Sequence, residues 1–329
     1  GYLLGESRAP QRLVRLSDAL FGWMPGGLAI VALVACAFFT AFTGASGVTI
    51  VALGALLYPA LRQAGYDERF SLGLVTAGGS LGLLFAPSLP LILYGFVAGQ
   101  MGTDPAVTIP DLFLAGVVPG LLMVGLLSAY AMWVGRTVTQ ARHRFEAREL
   151  WLALKETGWE LPLPFIVLGG IYSGELAASM RLVGAILLIL GAALALANWL
   201  VDQEVPAKLF ESLREHVDSP WVFLLLLNLF LLVVGMLLDI FSAIVILTPL
   251  LLPVAAGFGI HPVHLGVVML ANLQLGYFTP PVGMNLFIAS YRFGQPLTTL
   301  VRACVPFFLV LAAAVALITW WPALSLGLL

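Results

Sequence analysis

The chain has 329 residues, of which 61% are hydrophobic and only 10% are charged, and its formal net charge is −2. So few charged side chains cannot cover a globule of this size, which excludes a soluble globular protein. Apolar runs of about 20 residues, long enough to cross a hydrocarbon core of ~30 Å, recur along the chain. The composition therefore predicts an all-α polytopic membrane protein.

Six parts follow one another along the chain. The sequence predicts an amphipathic arm at 1–23, a first repeat at 24–110, scaffold helices with a basic loop at 111–202, a second amphipathic arm at 203–219, a second repeat at 220–297 and a C-terminal scaffold helix at 298–329. Both arms end near a proline, and we expect them to lie along the membrane surface. Each repeat is predicted to contain a hairpin and then an interrupted helix, and a spanning helix follows each.

A constant offset of 194 residues relates the two repeats. Without a gap, it aligns Pro59 with Pro253, Gly65 with Gly259, Gly82 with Gly276 and Pro87 with Pro281. The predicted elements are hairpins at 25–60 and 220–257 and interrupted helices at 70–99 and 262–291, which break around FAPSLP and FTPPVGMN. Unwound backbone inside lipid is costly unless it lines a site, and half-helix ends carry partial charges that suit ions. Both breaks are therefore predicted to line a binding site.

Basic residues set the predicted orientation. Five Lys and Arg residues at 136–155 make this loop cytoplasmic by the positive-inside bias. Interleaved acidic residues favour a surface helix there over a nucleic-acid site. Counting crossings from the loop makes the second repeat inverted and the C-terminus periplasmic. One crossing is then missing, and we predict that polypeptide is absent near Gly174 and Glu175; a divergent or non-inverted topology is the competing explanation.

Several strings of the sequence resemble one transporter family. The residues FTGASG at 42–47, VGMLLDIFSAIVILTPLLLP at 234–253 and HLGVVMLANLQLGYFTPPVGMNLFIAS at 264–290 are similar to the large membrane subunit of tripartite ATP-independent periplasmic (TRAP) transporters. The resemblance covers nearly the whole chain in family order. It implies an elevator-type carrier of the bacterial inner membrane that imports an organic anion, usually a carboxylate, together with Na⁺.

The resemblance also implies two protein partners, a small four-helix membrane subunit and a periplasmic substrate-binding protein, and no organic cofactor. Family members have helices before residue 1 and a further stretch after GGIYSG at 169–174, and we expect both to be missing here. Other possibilities are a binding-protein-independent elevator-type sodium/dicarboxylate symporter, a membrane-embedded enzyme and a channel. The apolar segments lack a Ser/His/Asp, Cys/His or metal-ligand constellation, which counts against the enzyme.

The two breaks carry the candidate residues for Na⁺. Sodium is a hard cation that prefers backbone carbonyls and the side-chain oxygens of Ser, Thr and Asn. The first predicted sodium site consists of Gly44, Ser46, Gly79 and Gly82. The second predicted sodium site consists of Asn272, Gly276, Thr279, Gly283 and Met284, the last through its backbone. Close helix packing is the alternative explanation for the glycines.

Three further residues are candidates for binding or charge balance. Ser88 and Asn285 lie just past the two breaks, where half-helix N-termini converge, and are predicted to bind the substrate anion. Asp239 is an acid within an apolar run, and such acids are functional candidates by default. It could balance the second sodium ion, cap the second arm of the hairpin, or pair with a cation on the substrate side.

Overall fold

The computed structural model describes residues 24–136 and 219–329, with isolated positions between them. In these ranges every regular element is a helix. The first half contains α1 (Gly27–Thr43), α2 (Ser46–Ala52), α3 (Gly54–Gln63), α4 (Glu68–Gly78), a 3₁₀ helix (Leu81–Leu84), α5 (Leu89–Gln100) and α6 (Ile109–Gly135). The second half contains α7 (Pro220–Leu237), α8 (Ile240–Gly257), α9 (Pro262–Gly276), α10 (Met284–Phe293), α11 (Leu297–Trp320) and α12 (Ala323–Leu326).

Five helical stretches of the described residues are long and apolar enough to cross a membrane. The prediction of an all-α polytopic membrane protein is therefore confirmed. Both predicted hairpins fold as helical arms separated by a short break, at Gly44 and Ala45 in the first and at Leu238 and Asp239 in the second. Both interrupted helices also break where Gly and Pro residues cluster, because proline removes a helical hydrogen-bond donor.

Side chains at the breaks define where the next helix begins. The Asp67 carboxylate accepts a hydrogen bond from the Arg69 backbone N–H at 2.9 Å and so caps α4. Ser88 occupies the same position before α5, and Pro90 lies in that helix's first turn. Such caps satisfy donors that the first helical turn leaves free. The local sequence therefore explains why the helices restart where they do.

The two repeats interlock in a symmetric manner. The second arm of each hairpin packs against the second half of the other repeat's interrupted helix, α2 against α10 and α8 against α5. The spanning helix after each repeat packs against the first half of the other repeat's interrupted helix, α11 against α4 and α6 against α9. Neither repeat therefore buries its apolar surface without the other.

Two hydrogen bonds show how the repeats are oriented. The Ser80 hydroxyl donates to the Gln274 carbonyl oxygen at 3.3 Å, and the Tyr94 hydroxyl donates to the Pro262 carbonyl oxygen at 2.6 Å. As the first repeat advances from 80 to 94, its partner positions run backwards from 274 to 262. Ser80 and Gln274 are also equivalent under the offset of 194 residues. A contact between equivalent residues indicates that a two-fold axis relating the repeats passes close to it. Because the paired positions run in opposite directions, this axis reverses the direction of the helices, and the repeats are inverted.

The spanning helices α6 and α11 belong to the same core as the interrupted helices. The backbone of Gly73 in α4 contacts α11 closely, at Ala303 and Phe307, and Gly116 in α6 lies against the Leu84 carbonyl. One continuous apolar cluster joins all of these elements. The boundaries between repeat and scaffold at 110/111 and 297/298 remain predictions from the sequence.

Several predictions fall on other parts of the chain. Four of them lie wholly or partly outside the described residues: the amphipathic arm at 1–23, most of the basic loop, the missing crossing near Gly174 and Glu175, and about half of the second arm at 203–219. These remain predictions from the sequence.

Candidate functional site

The tip of the first hairpin meets the second half of the other repeat's interrupted helix. Ser46, at the start of α2, is buried, and its Oγ donates a 2.7 Å hydrogen bond to Oδ1 of Asn285 in α10. Asn285 is fully buried, and its backbone N–H donates to the Tyr277 carbonyl oxygen at 2.8 Å. Its side-chain Nδ2 has no hydrogen-bond partner within the described residues. The fold thus joins a residue predicted for sodium to one predicted for the substrate.

Oxygen atoms gather behind this tip. Thr40 Oγ1 on α1 donates a 2.7 Å hydrogen bond to the Gly79 carbonyl oxygen and lies 2.6 Å from Thr49 Oγ1 on α2. The Ser46 carbonyl oxygen would lie 3.2 Å from a Cβ placed on Gly79. Ser46 and Gly79 are therefore neighbours, as predicted, and the two buried threonines add hydroxyls from outside the predicted set. All of these groups offer oxygen atoms, the hard ligands that suit Na⁺.

Backbone conformation and close packing explain why positions 44 and 82 are glycines. Gly44 has a left-handed backbone with φ of +65°, and a Cβ there would lie 2.8 Å from the Leu89 side chain. Gly82 lies against the backbone of α1, where a Cβ would collide with the Ala37 carbonyl oxygen and the Ala41 nitrogen. A larger residue fits neither position without a shift. Their direct role at an ion stays a prediction.

The tip of the second hairpin is held against the second break by backbone contacts. The Gly283 backbone N–H donates to the Met236 carbonyl oxygen at 3.1 Å, and Gly283 has a φ of +41°. The Ile240 backbone N–H donates to the Tyr277 hydroxyl. Met236 and Ile240 lie on either side of the break in the hairpin. Their partners, Gly283 and Tyr277, lie at the two ends of the break in the interrupted helix. Hairpin tip and break therefore form one structural unit.

The residues of the second predicted sodium site are only partly brought together. Gly276 packs on Gly235 so closely that a Cβ on Gly276 would lie 2.5 Å from the Gly235 carbonyl carbon. Thr279 Oγ1 donates at 2.7 Å to the carbonyl oxygen four residues earlier, and Met284 is 40% exposed. Four residues of the predicted site are thus spread along the second break: Gly276, Thr279, Gly283 and Met284. Close packing against Gly235 is a separate explanation for the glycine at position 276.

Asn272 serves a different network. Its Nδ2 donates to Asn228 Oδ1 on α7 at 2.6 Å, and the same Oδ1 accepts from Thr319 Oγ1 on α11 at 3.0 Å. The network continues because His264 lies 3.2 Å from the Thr319 carbonyl oxygen and 3.1 Å from Ser325 Oγ. The amide nitrogen of Asn272 thus binds α7, the first arm of the second hairpin, and the role of Asn272 at an ion stays a prediction. Buried polar groups in such a network fix the register of the helices.

Asp239 caps a helix. Its Oδ1 accepts from the backbone N–H groups of Phe241 and Ser242, both at 3.0 Å, and its Oδ2 accepts from Ser242 Oγ at 2.5 Å. These bonds satisfy the first turn of α8, the second arm of the hairpin. Of the three predicted roles, capping accounts for the observed contacts. Charge balance and pairing with a substrate-side cation stay predictions.

Ser88 is engaged within its own break. Its hydroxyl donates to the Leu83 carbonyl oxygen at 2.5 Å and accepts from the Leu91 backbone N–H at 3.5 Å, and the side chain is fully buried. Both partners belong to the first repeat. Unlike Asn285, Ser88 therefore has its hydrogen-bonding capacity used for helix capping, and its role towards a substrate stays a prediction.

The neighbouring histidines have local roles. The Nδ1 of His261 accepts from the Val263 backbone N–H at 3.2 Å at the start of α9. Burial lowers the pKa of His261, and the charge of Asp111 opposes this shift. Between 24 and 136 and between 219 and 329, no group of three or more His, Cys, Asp or Glu side chains could hold a metal. The observed contacts are those of a helix start.

Sequence comparison identifies the family. The family described as "Tripartite ATP-independent periplasmic transporter, DctM component" matches residues 1–180 and 174–324. The chain belongs to the DctM family. The two matched parts of this DctM chain overlap at 174–180, which is the place where the sequence predicts a missing crossing.

Individual relatives agree with this assignment. The chain is 33% identical over 363 aligned residues to the C4-dicarboxylate TRAP transporter large permease protein DctM of Pseudomonas aeruginosa, covering 100% of this chain and 83% of the relative. It is 32% identical to the isethionate TRAP transporter permease protein DctMQ of Oleidesulfovibrio alaskensis, covering 99% of this chain and 56% of the relative. The matches thus extend over the whole DctM chain.

One solved structure has the same fold. The YdaH transporter of Alcanivorax borkumensis superposes with a TM-score of 0.58 at 17% identity, covering 98% of this chain and 86% of that one. This likeness supports the membrane transporter fold of the DctM chain.

The sequence analysis missed four residues in the region of the site: Thr40, Thr49, Asn228 and Gln274. Their signal is weak, since each is an uncharged polar residue within an apolar helix.

Proposed function

We propose that the chain is the large membrane subunit of a sodium-coupled importer of organic acid anions. In this proposal it works in the bacterial inner membrane with a small four-helix membrane subunit and a periplasmic substrate-binding protein. The DctM family assignment supports a place in a tripartite transporter. The inverted, interrupted repeats support a carrier, because such breaks supply ion and substrate sites in secondary transporters.

The observation that carries the anion proposal is the free amide of Asn285. Its Oδ1 accepts from Ser46, while the fully buried Nδ2 has no acceptor in the part of the chain that the structure describes. An unsatisfied buried donor costs about 1–3 kcal/mol. A carboxylate oxygen would remove this cost, because it supplies acceptor lone pairs and no competing donor. The amide is thus suited to an anion that arrives at the junction of hairpin and break.

The names of the relatives support the same substrate class. One relative is named for C4-dicarboxylates and the other for isethionate, which are both organic anions. We propose a carboxylate such as a C4-dicarboxylate or a sialic-acid-like sugar acid for this chain. The binding protein would choose among them, while Asn285 would recognise the anionic group that they share.

Sodium coupling is proposed from the chemistry of the donors. The carbonyl oxygens of Ser46 and Gly79 and the hydroxyls of Thr40 and Thr49 lie together at the first hairpin tip. These oxygens fit Na⁺, and the ion would supply positive charge beside the anion that Asn285 binds. At the second break, Thr279 and the unwound residues up to Gly283 offer the equivalent donors.

An elevator motion needs a rigid moving body. The shared core of α6 and α11 with both interrupted helices supports moving them together with the hairpins. We therefore propose residues 24–136 and 219–329 as one body that moves against the rest of the chain. The basic loop at 136–155 would face the cytoplasm and the C-terminus the periplasm.

The test is uptake into proteoliposomes that contain the chain, its small subunit and the binding protein. A panel of radiolabelled organic acids is assayed with an inward sodium gradient, without sodium, and without the binding protein. The proposal expects saturable uptake that requires both sodium and the binding protein. Uptake that persists without the binding protein would favour the independent symporter, and uptake indifferent to sodium would refute the coupling.

The substitution Asn285→Asp tests the anion site. It keeps an acceptor for the Ser46 hydroxyl but replaces both amide donors with negative charge, so we expect uptake to fall at least tenfold. Gln100→Glu is the matched control, since it makes the same chemical change on an exposed residue at the end of α5. Equal uptake by the two variants would remove Asn285 from the substrate site.

A further inference from the structure

The two interrupted helices touch at positions that are equivalent in the two repeats. Ser80 Oγ lies 3.3 Å from the Gln274 carbonyl oxygen and 3.2 Å from the Ala77 carbonyl oxygen. Both Ser80 and Gln274 are about 1% exposed. The contact is therefore buried in the centre of the protein, near the axis that relates the repeats.

Each end of this contact adjoins a predicted sodium site. Ser80 directly follows Gly79, whose carbonyl oxygen is bound by Thr40 at the first site. Gln274 lies two residues before Gly276, whose backbone rests on Gly235 at the second break. A movement of the first site that displaces Gly79 must also displace Ser80. Through the hydrogen bond, the end of α9 would follow.

The side chain of Gln274 holds the other end of the contact in place. Its Nε2 lies 2.8 Å from the Met123 sulfur on α6, while its backbone carbonyl oxygen accepts from Ser80. Gln274 thus contacts α6 through its side chain and the first repeat through its backbone. A residue held in this way transmits a displacement instead of absorbing it.

We propose that Ser80 is a positioning residue that couples the two sodium sites across the two-fold axis. This inference rests on the sodium coupling proposed above. Sodium bound at one break would set the position of the other break, so that the second ion binds to a site already arranged. One neutral hydrogen bond corresponds to a coupling factor of about fivefold. Reciprocity requires the same factor in both directions.

The test measures initial uptake against sodium concentration in the complete transporter. The wild-type curve should be sigmoidal, with a Hill coefficient above 1. Ser80→Ala removes the hydroxyl and should lower the Hill coefficient below the wild-type value, while uptake remains dependent on sodium. Ser71→Ala is the matched control, because Ser71 is an equally buried serine whose Oγ donates only to the Asp67 carbonyl oxygen at the start of α4. Its curve should keep the wild-type steepness.

The outcomes separate this inference from the proposed function. Uptake without any sodium dependence in the wild type would refute both. A sodium-dependent wild type with a hyperbolic curve, or an unchanged Hill coefficient in Ser80→Ala, would overturn the coupling and leave the importer intact. If Ser80→Ala transports too slowly, sodium titration of the purified complex by its thermal unfolding temperature replaces uptake. There, Ser80→Ala should again show a shallower sodium dependence than Ser71→Ala.

Discussion

Replacing Gly276 by alanine should separate α7 from α9. The added Cβ would lie 2.5 Å from the carbonyl carbon and 2.7 Å from the Cα of Gly235, and neither backbone atom can rotate away as a side chain could. Reaching ordinary contact needs a shift of about 1 Å in a close-packed interior. Overpacking of this kind costs about 1–3 kcal/mol. We therefore expect Gly276→Ala to lower the unfolding temperature clearly.

The measurement is thermal unfolding of the purified chain in detergent. Gly125→Ala is the control, since Gly125 lies within α6 and a Cβ there meets nothing within 4 Å. Alanine is the better helix former by about 1 kcal/mol, so this variant should unfold at the wild-type temperature or slightly above it. If Gly276→Ala unfolds like Gly125→Ala, the packing argument is wrong. A stable Gly276→Ala variant that loses sodium dependence would instead support an ion-binding carbonyl.

Two further substitutions test single contacts. Asp239→Asn keeps an oxygen acceptor for the Phe241 backbone N–H and should retain most of the stability. Asp239→Ala removes the helix cap and should lose about 1 kcal/mol of stability. Equal unfolding temperatures of the two variants would argue against capping. Tyr94→Phe removes the hydroxyl that binds the Pro262 carbonyl oxygen between the repeats and should cost about 1–3 kcal/mol by chemical denaturation. The exposed Tyr291→Phe should be neutral, and equal losses in both would refute this contact.

The interrupted helices were predictable because their causes are local. Proline cannot continue a hydrogen-bonded helix, and the spacing of the Gly and Pro residues repeats with one offset. The spanning helix predicted after the first repeat appears as α6, Ile109–Gly135. The capping alternative for Asp239 was also available, since an acid directly before an apolar helical run is a standard helix start.

The predicted sodium residues show where local reasoning stops. The sequence around Asn272 gives no sign that its amide nitrogen binds Asn228, 44 residues away. Gly82 has the right size to expose a carbonyl, yet its close contact is with the backbone of α1. Residue type specifies what a side chain can bind. It does not specify which of several competent partners lies within reach.

By itself, the sequence determined the class of protein, the duplication and the positions of both breaks. The apolar composition indicates a lipid environment, and Gly and Pro change the conformation of their own backbone. Only the tertiary structure decided which break meets which hairpin. Ser46 and Asn285 are 239 residues apart, and the Ser80 contact with Gln274 requires both repeats to be folded together. The two-fold arrangement creates these contacts, because the interlocked repeats bring distant segments to a common axis.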